Sequence, residues 1–204
     1  EITWRDWSSD VCSSDLMFVS YFIGSLPTGY LVARIFRGVD IRTVGSGSIG
    51  ATNVRRMMGQ GWAVFVTLVD MLKGALALLL TVESASSDPW LLSLSALAAV
   101  LGHNYPVWLR FRGGKGVATT YGTMFFIWPY NSFAIVLMSG ALWYAVMTST
   151  RYVSLASMVS LLALPAFFWM LDAPLPFILL ALLLALLAID RKSTRLNSSH
   201  ARLS

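Results

Sequence analysis

Arg110, Arg112 and Lys115 fall within six residues of one another, and the lysine is framed by Gly113, Gly114 and Gly116. Glycines let a backbone approach a ligand closely and adopt positive φ, so that successive N–H groups converge on an anion. The cations supply the countercharge. Such a loop can bind an anion, phosphate above all. The same residues would also serve as a basic turn marking the cytoplasmic side of a membrane protein. A second glycine-rich stretch, Val39 to Arg56, reads V-D-I-R-T-V-G-S-G-S-I-G-A-T-N-V-R-R. Gly45, Gly47 and Gly50 spell G-x-G-x-x-G, and Asp70 follows 20 residues after Gly50. This imitates a dinucleotide fingerprint but lacks its βαβ context, since Asp70 sits in a leucine-rich stretch of membrane-span length. A Walker loop is excluded as well, because Gly116 follows Lys115 where Ser or Thr is required. What remains is a Gly/Ser loop opening a short helix near Ala51–Met58, whose free N–H groups and dipole favour an anion. Ser46, Ser48, Thr52 and Asn53 add hydroxyl and amide groups.

Other chemistry-bearing residues sit in or beside apolar segments. Asp70 and Lys73 stand at i, i+3 on one helix face. Charges inside a membrane are costly, and they face a cavity or one another. A structural ion pair and an anion-facing lysine oriented by Asp70 are both consistent with that spacing. His103 and Asn104 lie just before the basic loop, and His103 suits either a proton carrier or a helix–helix hydrogen bond. Trp108 stands where a His-x4-Asp acyltransferase would have its aspartate. Ser154, Ser157 and Ser160 recur at helical spacing after Arg151, which fits close helix packing or, for Ser154, ligand contact. Pro27 in G-S-L-P-T-G-Y, with Ser25 before it and Arg34 after it, fits an ordinary kink or a broken helix facing protein or water.

The elements that must position these groups are membrane spans. The chain has 204 residues, 56% hydrophobic and 12% charged, where a soluble domain carries about a quarter charged. Seven apolar segments can be marked: Leu16–Phe36, Trp62–Val82, Trp90–Leu109, Val117–Pro129, Ser132–Ser149, Val153–Leu171 and Leu175–Ile189. The fourth and seventh are short for a span of about 17–20 residues, and Pro165 predicts a kink in the sixth. With the N-terminus outside, the inside connections carry Arg37, Arg42, Arg55 and Arg56, then the basic loop, then Arg151, then Arg191 and Lys192. The outside connections carry Glu83, Asp88 and Asp172 and no Lys or Arg. This alternation follows the positive-inside rule and puts the C-terminus in the cytoplasm. The expected fold is an all-α integral membrane protein, a compact seven-helix transmembrane bundle with some short or broken helices. One transmembrane domain, residues 16–189, is expected between polar flanks at 1–15 and 190–204 that read as non-native or disordered. Cys12 is the single cysteine, so no intrachain disulfide forms.

S-L-P-T-G-Y, G-S-G-S-I-G-A-T-N-V-R, D-M-L-K-G and G-H-N-Y-P-V-W-L-R-F-R-G-G-K-G-V-A-T, in this order, resemble the signature blocks of the bacterial acyl-phosphate-dependent glycerol-3-phosphate acyltransferases, the PlsY family. The resemblance covers roughly Met17 to Ile189. It implies a seven-helix membrane enzyme of the bacterial inner membrane, multi-pass, with its site on the cytoplasmic side. The implied reaction moves a fatty acyl group from acyl phosphate to the 1-hydroxyl of glycerol 3-phosphate, forming lysophosphatidate and phosphate in phospholipid synthesis. No cofactor, metal or nucleic acid is implied. The partners are the two substrates and membrane lipids. Carried over by motif, the candidate catalytic residues are Lys115, His103, Asp70 and Lys73. The candidate phosphate-binding residues are Ser25, Arg34, Ser46, Gly47, Ser48, Asn53, Arg112, Gly113, Gly114, Ser154 and Ser157. Two departures stand out. Ser48 occupies a position where the family has Asn, and the family's basic His/Asn-containing C-terminal block finds no match from Asp190 onward.

The residues fit this chemistry. Acyl phosphate is a mixed anhydride with a good leaving group, so no covalent enzyme nucleophile is required. What remains is to orient two anions and to stabilise a tetrahedral oxyanion, which cations and preorganised N–H donors do. His103, Asp70 and a substrate phosphate are the candidates for the base, with the phosphate nearest. The alternative is a transporter or flippase for anionic metabolites. Against it, the chain shows no paired halves of the inverted-repeat type, and its motifs cluster at one end of the spans.

Overall fold

In the computed structural model, which describes residues 12–85, 88–128 and 131–200, the first apolar segment is two helices: α1 (Ser13–Gly24) and α2 (Thr28–Arg37). The break falls at Ser25–Pro27, where the sequence places it. Proline removes a donor, and in lipid the loosened backbone must find partners inside the protein. It does so here: the Ser25 N–H donates to the Tyr21 carbonyl at 2.8 Å, the Leu26 N–H to the Ile23 carbonyl at 3.3 Å and the Thr28 N–H to the Leu26 carbonyl at 3.0 Å. α2 ends at Gly38, which takes the left-handed conformation with φ 68°. A 3-10 turn at Ile41–Thr43 leads through the Gly/Ser loop into α3 (Ala51–Met58), at the bounds read from the sequence.

α4 (Gln60–Ala85) is the central rod of this part of the chain, 26 residues or about 39 Å of helix. α5 (Pro89–Asn104) starts on Asp88, whose side chain accepts a hydrogen bond from the Leu91 N–H at 2.8 Å, with Pro89 at the first helical position. It stops at Asn104. The apolar run continues to Leu109, but Tyr105 and Pro106 leave the helix and Val107–Leu109 forms a 3-10 turn. The helix is therefore 16 residues, shorter than the 20 counted from hydropathy. α6 (Val117–Met124) is shorter still, eight residues. These six helices belong to one compact unit, Glu1–Ser132; α7 (Ser132–Thr150), α8 (Val153–Met170) and α9 (Leu175–His200) belong to a second, Phe133–Ser204. In the second unit Phe168 and Phe177 stack at 6.1 Å among buried Leu161, Leu164, Leu180 and Leu184. Helix α9 runs on to His200, past Ile189 where the sequence reading ends the span. Residues 1–11 and 201–204 of the expected flanks lie outside the described residues.

Among the described residues every regular element is helical. Four stretches are long and apolar enough to cross a membrane, Ser13–Arg37, Gln60–Ser84, Ser132–Thr150 and Val153–Met170, with Leu175–Ile189 a shorter apolar helix. Large apolar side chains such as Phe18, Leu72 and Trp169 point outward, as lipid-facing residues do. The protein is a multi-pass membrane protein.

Apolar surface gives helices little reason to associate in lipid, so close backbone packing must do it. Two crossings in the first unit show this reciprocally. Between α1 and α5, a Cβ on Gly24 would overlap the Ala99 carbonyl, and one on Gly102 would overlap the Tyr21 carbonyl. Between α4 and α6, the same holds for Gly74 against Thr119 and Gly122 against Met71. Each crossing forbids side chains on both partners at the point of contact. Gly102→Val is expected to lose folded protein in detergent, since overpacking costs roughly 1–3 kcal/mol even where neighbours can yield and backbone cannot. Gly140→Ala, a position with nothing within 4 Å of the added carbon, is expected to match wild type by size-exclusion and thermal melting.

Candidate active site

The second span brings its two charges face to face. Lys73 Nζ lies 2.8 Å from Asp70 Oδ1, and both residues are buried, 4% and 3% exposed. Lys73 Nζ also donates to the Leu26 carbonyl at 2.9 Å and lies 2.9 Å from His103 Nδ1. Asp70 Oδ1 accepts in addition from the Thr28 hydroxyl at 3.0 Å. The helix break, α2, α4 and the end of α5 thus meet on one ion pair. Leu26 supplies a carbonyl there because the chain has left its helix.

The basic loop folds back onto this cluster. Gly113 N–H donates to the Asn104 carbonyl at 3.1 Å and Gly114 N–H to the His103 carbonyl at 3.0 Å, so the loop closes on the C-terminus of α5. Gly114 lies against the His103 ring so tightly that a Cβ would overlap Nε2. Gly116, with φ 73°, starts α6 beside the Asn104 carboxamide. Within the loop Arg110 and Phe111 both take positive φ, 53° and 62°. Left-handed backbone costs a residue with a Cβ about 1–2 kcal/mol, and such strain gathers at functional segments. Lys115 is half-buried at the mouth of the cluster's loop and Arg112 is exposed.

The Gly/Ser loop is built differently. Asn53 is fully buried, and its amide donates to the carbonyls of Ile41, Val44 and Ser48 at 3.1, 3.0 and 2.9 Å. Its Oδ1 accepts from the Ser46 N–H at 3.0 Å. With two amide hydrogens shared among three carbonyls, Asn53 is a clamp at the centre of the loop, with no donor left over for the phosphate contact expected of it. Gly45 and Gly47 take positive φ around this clamp. Ser46 is exposed, while Ser48 is buried and accepts from the Gly50 N–H at 3.2 Å. The loop is tied to the basic loop by Arg42, which was read from the sequence only as a marker of topology. Its guanidinium grips Asp40 at 2.6 Å, lies over the Tyr30 ring and donates to the Leu109 carbonyl at 3.5 Å. The hydrogen bonds from Arg42 hold the Asp40 carboxyl below the usual carboxylate range. Beneath this tie, Leu109 packs with Val32, Ile41, Ile49 and Val54 in one buried cluster.

Of the remaining candidates, Ser25 is buried at the helix break with an unpartnered hydroxyl. Arg34 is exposed on α2 and donates to the Gly38 carbonyl at 3.0 Å. Ser154 and Ser157 lie on α8 in the second unit, where Ser154 is exposed and Ser157 accepts from Trp143 Nε1 at 3.2 Å. Two participants escaped the sequence reading. Thr28 carried no signal in the sequence: its hydroxyl makes no helix cap and is recruited by Asp70, 42 residues further on. Asn104 was noted without a role; it is fully buried, and its carboxamide has no hydrogen-bond partner.

Helices of membrane length, a buried histidine beside a lysine–aspartate ion pair and two glycine-rich loops tied to each other define an integral membrane protein with a polar centre. The chain belongs to the glycerol-3-phosphate acyltransferase family, whose profile matches residues 15–200. It is 48% identical over 164 residues to the glycerol-3-phosphate acyltransferase of Rubrobacter xylanophilus, covering 80% of this chain and 79% of that one. The crystal structure of PlsY (YgiH), an integral membrane glycerol 3-phosphate acyltransferase, in its glycerol 3-phosphate form has a TM-score of 0.83 to this chain at 37% identity, over 93% of this chain and 92% of that one. The lysophosphatidic acid form of the same protein gives 0.80 at 36% identity, with the same coverage.

If Asn53 is the loop's clamp, Asn53→Ala should raise amide hydrogen exchange across residues 41–50 by more than tenfold, because four hydrogen bonds worth about 1 kcal/mol each are lost. Asn53→Asp, which keeps the acceptor and loses the donors, should behave like Ala. Mass-spectrometric exchange of this segment, with α4 as internal reference, reads both.

Proposed function

We propose that this protein transfers a fatty acyl group from acyl phosphate to the 1-hydroxyl of glycerol 3-phosphate, forming lysophosphatidate and phosphate at the cytoplasmic face of the bacterial inner membrane. The observation that carries the proposal is the Lys73–His103 pair seated against the Gly113–Gly114–Lys115 loop. Beside it, an apolar groove of about 470 Å³ is lined by Phe22, Ile23, Leu26, Val69, Leu72 and Leu76, next to the buried Lys73. A hydrocarbon tail matches such a groove. The family membership and the two ligand forms of PlsY support the same substrate and product.

In the proposed reaction the glycerol hydroxyl oxygen attacks the acyl carbonyl. The new ester C–O bond forms, the anhydride C–O bond to phosphate breaks, and the hydroxyl proton leaves with a phosphate oxygen. Lys115 and Arg112 would neutralise phosphate, on a loop that the Gly113 and Gly114 N–H groups hold against the end of α5. Ser46, Gly47 and Ser48 would bind from the other loop, framed by Asn53, with Ser25 at the helix break and Arg34 on α2. Asp70, Lys73 and His103 form the buried floor. Cations and fixed donors lower the barrier because they need no reorganisation as charge develops on the oxyanion.

Purified protein given acyl phosphate and labelled glycerol 3-phosphate should form labelled lysophosphatidate. Acyl-CoA or acyl carrier protein should give none, since the short connections between helices offer no surface for a bulky donor head. Lys115→Met should lower turnover at subsaturating substrate by one to two decades, the loss of roughly 1.5–3 kcal/mol for a charge-assisted contact. Label that crosses sealed vesicles chemically unchanged would establish transport instead, and equal rates from acyl-CoA would overturn the donor.

A further inference from the structure

An ammonium group has three hydrogens and no acceptor. Lys73 has three acceptors within 2.9 Å: Asp70 Oδ1, the Leu26 carbonyl and His103 Nδ1. Every donor of this lysine is therefore spent inside the protein, and at 4% exposure it has no open side from which to meet a substrate. The consequence falls on the histidine. An Nδ1 that accepts from Lys73 carries no proton, so the neutral ring must carry it on Nε2. That nitrogen is the one against which Gly114 packs.

We infer that Lys73 is a positioning residue that acts through His103, fixing the ring as the Nε2-protonated tautomer and so presenting an N–H at the glycine loop. Asp70 makes the role necessary. Its Oδ1 lies 3.7 Å from His103 Nδ1, and a carboxylate beside an imidazole draws the proton to the nearer ring nitrogen. Without Lys73 between them, the proton would move to Nδ1 and leave Nε2 as an acceptor. An acceptor at that place offers the glycine loop no N–H. Lys73 thus blocks the carboxylate–histidine pairing that would turn the ring into a base, and keeps His103 a hydrogen-bond donor. The tautomer follows from this geometry with Lys73 as an ammonium donor. Its bearing on transfer rests on the acyltransferase reading above.

Ring-15N-labelled histidine in the intact protein, with His200→Gln removing the second signal, reads the tautomer directly by one-bond 15N–1H coupling. The wild-type ring should show a proton on Nε2 and none on Nδ1. In Lys73→Met the proton should appear on Nδ1. A proton on Nδ1 in the wild type overturns the inference, as does an unchanged Nε2–H tautomer in folded Lys73→Met; should that variant fail to fold, the wild-type spectrum decides alone. In the transfer assay Lys73→Met should lower kcat/KM roughly ten- to a hundredfold, the loss of one charge-assisted hydrogen bond. In a His103→Gln background the same change should cost little more. Equal losses in both backgrounds would mean that Lys73 contacts substrate by itself. An enzyme with no transfer activity at all would defeat the acyltransferase reading and leave the tautomer standing.

Discussion

A lysine ammonium on a helix that crosses lipid has to find its partners in the protein, and the first unit is arranged around that requirement. Lys73 takes a carboxylate from one turn earlier on α4, a carbonyl from the helix break and a ring nitrogen from the end of α5. Each partner fixes something else. The carbonyl is available only because the chain is broken at Ser25–Pro27. Asp70, paired, also takes the Thr28 hydroxyl and so anchors the start of α2. His103 carries the loop that closes on its own carbonyl. An unpaired ion in this position would cost several kcal/mol, so the helices must come close enough to pair it.

Glycine makes that approach geometrically available. At the α1–α5 and α4–α6 crossings, backbone meets backbone without a side chain between them. The loops then inherit their positions from the helices. Gly113 and Gly114 fit under the α5 terminus, Asn53 holds the second loop by its own amide, and Arg42 links the two through Leu109. The strained backbone at Arg110 and Phe111 is kept by this closure and places two cations next to Gly113 and Lys115.

Much of this was legible in the sequence, for local reasons. Pro27 among small residues marked the place where the first span breaks, and the Gly/Ser loop ending at Gly50 announced α3. The membrane class followed from composition and the family from the motif blocks. What escaped depends on distant partners. Hydropathy ran through Tyr105 to Leu109, whereas the helix ends at Asn104 because the loop returns to bond the His103 and Asn104 carbonyls. Asn53 reads as a ligand from its place in a Gly/Ser loop, and only the fold shows its amide turned to three carbonyls of that loop. Lys73 reads equally as an ion-pair partner and as an anion ligand until its three acceptors are seen together. The polar run after Ile189 carries no apolar face, yet α9 continues through it to His200.

The central claim is that the Lys73–Asp70 pair is a buried charge balance on which the helix arrangement depends. Unfolding of Lys73→Met, Asp70→Leu and the double variant in mild detergent, followed by denaturant titration, tests it. Removing one partner strands a buried charge, at about 3–5 kcal/mol, whereas replacing both by apolar residues can be nearly neutral. The double variant should therefore be more stable than either single one. Losses that simply add would contradict the account, because two charges that contribute independently are not each other's counterion.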